Sequence, residues 1–364
     1  LAAEWLILIV TTVFLKVPNP SSIRRWAIAL AVLLVPVLVW LSWQRLATFD
    51  WAALGDVYNH IDWRWMIPGA AIIMASYISR VLRWQVMLRP VNPNSSFRRV
   101  LVGTLIGFTA IVLLGRPGEL VRPYLIARSE NVSVSSQMGA WLLERIYDLL
   151  AILILFGFGL ATFDPAGRSL GPALLWVLQT GGVLIAVLCG ACLLFLVFAG
   201  LGGDALVNRL REALAFLPPA SQSKIGVLLE SFSTGLASCQ KLSDVSLIVF
   251  YTIIEWGSIL AAVFCIFRSF PQTNTFSLLD VIVYLGFVSF GSIVQIPGVG
   301  GGVQIVTVLV LTQLFGVQTA PATGIAIASW LATWVVVLPF GIVLAARQGL
   351  SWGSLKSLGK DLNS

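Results

Sequence analysis

Three ionisable residues stand together where ionisable residues are rare. Glu144, Arg145 and Asp148 fall inside the apolar run 138–162. Glu144 and Asp148 are four apart, so on a helix they share a face, and Arg145 can reach Asp148 three positions on. Charged groups in such a run are costly and mark either a pathway or a paired site. One reading is a self-neutralising cluster that ties neighbouring helices together. The other is a gate or headgroup contact lining a cavity. Glu255 lies nine residues into a second run, 246–267, with no partner in its own helix. It faces a cavity in one reading, where it pairs with a hairpin arginine or carries a proton. Arg80 and Arg83 close a third run, 66–82, where basic side chains reach out to phosphates.

A second kind of chemistry is written in two Pro/Gly breaks. Arg116-Pro117-Gly118-Glu119 interrupts an apolar stretch, and Pro117 is pre-organised for the first turn of a half-helix running to Ile126. The positive dipole end, its free N–H groups, Arg116 and Arg122 would converge on one point, which suits an anion. The other break, Pro297 to Gly302, offers Gly298, Gly300, Gly301 and Gly302, whose N–H groups form a candidate anion nest ahead of a helix at Val303. Glycine also serves close helix packing, so this run alone decides nothing. No strand precedes it and no Lys-Ser/Thr follows it, so it is not a nucleotide-binding loop.

The elements that must carry these residues are membrane spans. Of 364 residues, 58% are hydrophobic and 11% charged, against about 25% charged in soluble domains. That excludes a soluble enzyme, a DNA-binding module and a disulfide-stapled secreted domain. Runs of about 20 apolar residues occur at 26–46, 66–82, 138–162, 173–200, 246–267 and 322–346. The stretch 4–15 is too short to assign as a span or an interfacial helix. Regions 101–128 and 279–316 each consist of two short apolar legs around a Pro/Gly break, so they read as re-entrant hairpins, which need protein or water to cover their irregular backbone. The fold expected is all-α and polytopic, with six full spans and two re-entrant hairpins. The lone histidine, His60, builds no metal site, Cys189 and Cys192 read as small residues at a helix contact, and no cofactor is implied.

Charge placement favours this arrangement. With two hairpins, 17 of the 23 basic residues fall on the cytoplasmic side, including Arg83, Arg116 and Arg122, and 4 fall outside. The net charge of +7 is then a topology signal and implies no nucleic acid. The C-terminus is cytoplasmic. The same four elements recur with reversed direction. An offset of 180 residues separates the spans starting at 66 and 246 and the breaks at Pro117 and Pro297. Inverted halves with matching breaks point to a secondary-transporter site. The chain divides into a segment 1–25, a first half 26–162 and a second half 163–346. The second half carries an amphipathic loop, 201–245, expected on the cytoplasmic membrane surface. A cytoplasmic tail, 347–364, follows.

The stretch LLGRPGELVRPYLIARSENVSVSSQMGAWLLERIYDLL, with Glu144-Arg145-x-x-Asp148 downstream of its turn, resembles the flippase-like transmembrane family. That family includes the membrane domain of lysylphosphatidylglycerol synthases and related archaeal and hopanoid-associated proteins. IVQIPGVGGGVQ resembles its second signature, with Gln304 where many members carry Glu. The resemblance covers roughly 26–346 and implies a translocase for an anionic phospholipid or polyprenyl-phosphate-linked lipid in the cell membrane. The lipid phosphate would lie on the two breaks, Gln304 included. The soluble aminoacyl-transferring domain of the synthases is absent after Arg347, so the expectation is a non-enzyme, with a separate lipid-modifying enzyme an admissible partner. Two alternatives stay open: a membrane-embedded transferase using Glu144, Asp148 or Glu255 as base, and a small-anion transporter.

Overall fold

The computed structural model describes residues 50–162, 180–197, 212, 241–292, 295–296 and 300–349. The chain forms two compact units, 1–52 and 53–364. Only residues 50–52 of the first are described, and the packing below belongs to the second. The expected span 26–46, the tail 351–364 and almost all of the loop 201–240 lie outside the described residues.

The described chain is helical apart from one pair of two-residue strands. The helices are α1 (Trp51–Asn59), α2 (Trp63–Leu88) and α3 (Phe97–Leu114), then a 3-10 turn (Arg116–Leu120), α4 (Val121–Glu130) and α5 (Val134–Thr162). After α6 (Thr180–Val197) come α7 (Leu242–Arg268), α8 (Leu278–Gly291), strands β1 (Gln295–Ile296) and β2 (Gly300–Gly301), α9 (Gly302–Gln313) and α10 (Thr319–Arg347). Local chemistry sets several ends. Asp62 caps α2 by accepting from the Arg64 N–H at 2.9 Å, and Ser277 and Asp280 form a reciprocal capping box on α8. Helix α3 stops at Gly115 with φ +69°. Asn131, with φ +54°, gives α4 a left-handed cap.

Six helices among the described residues are long and apolar enough to cross a membrane: α2, α3, α5, α6, α7 and α10. The protein is an all-α polytopic membrane protein. One expectation needs correcting. The first leg of the 101–128 region is not short, because α3 begins at Phe97 and its 18 residues extend about 27 Å at 1.5 Å per residue. Arg98 and Arg99 lengthen it, and an apolarity count that starts after them misses that turn.

Both Pro/Gly breaks turn the chain back on itself. Gly103 faces Ile126, Gly107 faces Arg122 and Gly118 faces Ala110, an antiparallel register that brings α4 down the side of α3. Entry and exit meet at one end, where Arg99 bonds Glu130 at 3.0 and 3.1 Å. In the second pair, the Tyr284 hydroxyl and Thr307 Oγ1 are 2.9 Å apart between α8 and α9, and Gly291 packs on Gly302 and Val306. The rings of Phe276 and Phe315 lie 4.7 Å apart where this hairpin begins and ends.

Packing between the halves is reciprocal. Helix α10 lies on α3, with Gly341 against Thr109 and Leu105, while α5 lies on α8, with Phe156 over Gly286 and Gly159 against Ile282 and Val283. Between them α2 and α7 run antiparallel, joined by Arg89–Asp244 at one end (2.7 Å) and by Gly69 against Cys265 and Ile266 at the other. Each small residue sits where two helix backbones approach, as membrane helix contacts require.

Candidate functional site

Helices α2, α4, α5 and α7 each turn at least one charged residue toward a common centre. Arg83 of α2 is its hub. It is fully buried, 0% exposed, and meets three carboxylates: Glu144 at 2.8 Å, Asp148 at 2.7 Å and Glu255 at 2.9 Å. Its Nη1 also donates to Thr252 Oγ1 at 3.0 Å. Arg80, one turn earlier on α2, reaches Glu255 at 2.7 Å. Arg122 of α4 grips both oxygens of Glu144 from one nitrogen, at 3.0 and 2.9 Å. Arg145 bridges Glu144 at 3.1 Å and Asp148 at 3.2 Å. Glu255 lies thirteen residues from either end of α7, at the middle of a spanning helix.

Aromatic rings hold the guanidinium groups in place. Arg122 lies 4.1 Å from the ring centroid of Trp84, whose indole N–H is fixed on Gln137 Oε1 at 2.9 Å. Arg80 lies 4.8 Å from the Phe108 ring. Delocalised, weakly hydrated guanidinium suits this setting better than ammonium does. Four arginines face three carboxylates, so the cluster carries one net positive charge. The Nε groups of Arg80, Arg83, Arg122 and Arg145 are buried without an acceptor among the described residues. Glu255 Oε2, 2.9 Å from Arg83, is likewise without a hydrogen bond, so four unmet donors face one unmet acceptor among the described residues.

Among the described residues, Arg80 is the charged one in the wall of a cavity of about 420 Å³. Helices α2, α3, α7, α8, α9 and α10 enclose it, with Tyr77, Phe108, Gly115, Gln304, Trp330 and Trp334 among its lining. At the hairpin tips, Arg116 donates to Glu119 at 2.5 Å and to the Ser292 carbonyl at 2.6 Å. The first break therefore touches the end of α8, where the second hairpin starts to turn.

Residues 26–341 match the family described as the lysylphosphatidylglycerol synthase TM region. The chain belongs to that family. It is also 24% identical, over 339 residues, to the UPF0104 membrane protein PH1989 of Pyrococcus horikoshii, covering 89% of this chain and 97% of that protein. No solved structure matches it.

In this family member the charged residues singled out from sequence fall into two places. Glu144, Arg145, Asp148, Glu255, Arg80, Arg83 and Arg122 form the network. Arg116, Pro117, Gly118 and Glu119 form the first hairpin tip, with Gly300, Gly301, Gly302 and Gln304 in the second. Pro297 and Gly298 lie outside the described residues. Several individual expectations change. Arg83 does not reach out to the interface, because three carboxylates hold it inside. Glu255 pairs with the α2 arginines rather than with an arginine of the hairpin tip. Arg122 does not converge with Arg116, since Glu144 and Trp84 hold it in the network. The half-helix does not start as α-helix at Pro117; a 3-10 turn intervenes and α4 begins at Val121.

The glycines also do other work. A side chain on Gly118 would strike the Ala110 backbone, so this glycine serves the close approach of the 3-10 turn to α3 and leaves no room for a ligand. Gly300 and Gly301 pair with Ile296 and Gln295 as a small antiparallel bridge. The Gly301 N–H, the natural nest donor, is taken by Gln304 Oε1 at 2.8 Å. Gln304 thus caps α9 through an oxygen that glutamate would also present. Sequence reasoning missed Trp84, Phe108 and Thr252, which position the arginines. The signal for the hub was the spacing of Arg80 and Arg83, one turn apart on one helix face.

Proposed function

We propose that the protein moves an anionic lipid between the leaflets of the cell membrane, with its C-terminus in the cytoplasm. The observation that carries this reading is the charge imbalance at mid-span. An isolated positive charge in a membrane interior is expensive and calls for a counter-ion. Arg80 brings that imbalance to the wall of the cavity between the hairpins. A lipid phosphate entering there would bring four positive groups against four negative ones. In this reading the two hairpins are re-entrant, entered from opposite faces, and their tips close the cavity around the headgroup. The first hairpin's Arg116 and the second hairpin's Gln304 border the path of the headgroup. The protein is a carrier in this reading and no enzyme: Glu144, Asp148 and Glu255 are all engaged by arginine, which makes each a poor general base.

The experiment is transbilayer movement of fluorescent lipids in proteoliposomes containing the full chain. Phosphatidylglycerol should cross at least tenfold faster than in empty vesicles, and faster than phosphatidylcholine. Arg80→Gln balances the cluster at three against three and should abolish the preference while leaving thermal stability near wild type, since Glu255 keeps Arg83. Equal rates for the two lipids, unaltered by Arg80→Gln, would overturn the reading. A new lipid species formed from labelled donor would favour the transferase instead.

A further inference from the structure

Beside the charged network runs a second space, separate from the cavity between the hairpins. It measures about 850 Å³ and lies between α5, α6 and α7. Its lining is apolar for the most part, with Leu150, Ile154, Leu193, Val249 and Ile253 typical. Its polar atoms belong to Tyr147, to Thr252, whose hydroxyl donates to the Ile248 carbonyl at 2.8 Å and accepts from Arg83, and to Trp256, whose indole N–H is buried without an acceptor among the described residues. None of the described lining residues is charged. Hydrocarbon would find a matching wall. The rim faces outward, with Ile154 58% and Ile253 65% exposed, so the groove is open along the side that a bilayer would cover.

Three features fix the occupant. The α7 wall runs from Leu242 to Leu260, which at 1.5 Å per residue is about 27 Å, close to the ~30 Å hydrocarbon thickness of a bilayer. About 20 Å of that wall precedes Glu255 at the middle of α7 and about 8 Å follows it, so the groove starts at one end of the helix and passes its midpoint. The mouth is informative too: the groove opens sideways past Ile154 and Ile253, so hydrocarbon chains can enter from the bilayer with their ends left in lipid. Finally, Thr252 belongs both to the groove wall and to the first contacts of Arg83, so the groove is continuous with the cluster that carries the surplus positive charge. We infer that this groove is the track for the acyl chains of a diacyl phospholipid, which stay in hydrocarbon while the headgroup crosses at the arginine network.

The inference rests on the lipid reading for its role in transport, but occupancy of the groove is measured without transport. The full chain in nanodiscs is irradiated with phosphatidylglycerol carrying a diazirine on one acyl chain, and the adducts are mapped. Adducts are expected on α7 between Val249 and Leu260 and on α5 between Leu150 and Leu155. Gly257 lines the groove and has open space where a side chain would start, so Gly257→Leu fills the track without a clash. It should lower those adducts at least fivefold. Gly190 of α6 is equally open but not among the groove lining, and Gly190→Leu should leave them unchanged. Melting of both variants is recorded alongside, and Ala151→Leu, on the facing wall, repeats the block if Gly257→Leu fails to fold. Wild-type levels of groove adducts in a folded Gly257→Leu protein would overturn the proposal, as would equal labelling by a polyprenyl-phosphate diazirine. Groove labelling with no lipid movement in proteoliposomes would refute the translocase reading and leave the acyl site standing.

Discussion

Two substitutions in the arginine network leave the same formal charge and should behave differently. Arg83→Met and Arg80→Gln each reduce four positive groups to three against three carboxylates. Arg83, however, makes ion pairs with Glu144, Asp148 and Glu255 and donates to Thr252, whereas Arg80 has an ion pair with Glu255 alone. Without Arg83, Asp148 keeps Arg145 at 3.2 Å, through a side chain 38% exposed. Removing one partner of a buried ion pair costs about 3–5 kcal/mol. At roughly 2–4 °C per kcal/mol that predicts a fall in melting temperature of about 6–20 °C for Arg83→Met. The Arg89–Asp244 pair, whose arginine is 46% exposed though Asp244 is buried, provides the contrast: Asp244 has this one ion pair at the helix end, where water reaches the arginine, so its loss should cost less than that of the hub and more than the ~0–1 kcal/mol of a fully exposed pair. The assay is thermal denaturation of the detergent-solubilised full chain, with Arg83→Met, Arg80→Gln and Arg89→Met side by side. Adding Asp148→Asn to Arg83→Met should restore part of the loss, because the poorly paired carboxylate is then neutral. If Arg83→Met melts with Arg80→Gln, the network responds to its charge count and not to its geometry, and the hub assignment fails.

Two further outcomes bear on the hairpins. Gln304→Leu leaves the part-buried Gly301 N–H without its 2.8 Å acceptor and should destabilise by about 1 kcal/mol, while Gln304→Glu should melt with wild type; equal melting of all three proteins would remove the capping role. Single cysteines at Ser135, at the start of α5, and at Thr319, at the start of α10, should label with an impermeant thiol reagent from inside and outside respectively. Labelling of both from one face would refute the reading of the two hairpins as re-entrant and inverted.

What could be read from sequence was set by length and apolarity. Spans α2, α5, α7 and α10 follow from runs of apolar residues broken by charges and turn formers, and both chain reversals follow from Pro/Gly breaks between apolar legs. The start of α3 was not legible, because Arg98 and Arg99 look like loop residues until Glu130 is seen to hold Arg99. The network was legible only within a helix. Glu144, Arg145 and Asp148 announce themselves by spacing, but their main partner, Arg83, lies 61 residues from Glu144 and joins them only when α2 packs beside α5. The glycines misled for the opposite reason. A glycine permits both backbone approach to a ligand and backbone approach to another helix, and only the position of Ala110 over Gly118 decides between them.

The distribution of charge also says which joints are firm. Arg83, Arg80, Arg122 and Glu144 tie α2, α4, α5 and α7 together through ion pairs buried in a poorly polar interior, where loss of the hub, Arg83, leaves a carboxylate poorly paired. From Leu278 to Ala346 the chain contains a single residue that is charged at neutral pH, Asp280, and it caps α8. The second hairpin and α10 therefore meet the remainder through apolar side chains, small residues and a few neutral hydrogen bonds, together with Arg116 on the Ser292 carbonyl at 2.6 Å. Such contacts can slide or part without leaving a charge uncompensated, whereas those around Arg83 cannot. The wall of the hairpin cavity divides the same way, with Arg80 on the ion-paired side and Trp330 and Trp334 on the other. In the proposed translocase Arg80 would stand on the ion-paired side, faced by a wall free of ionic ties, so that relative motion of the two sides would open and close access without moving the charge that meets the headgroup.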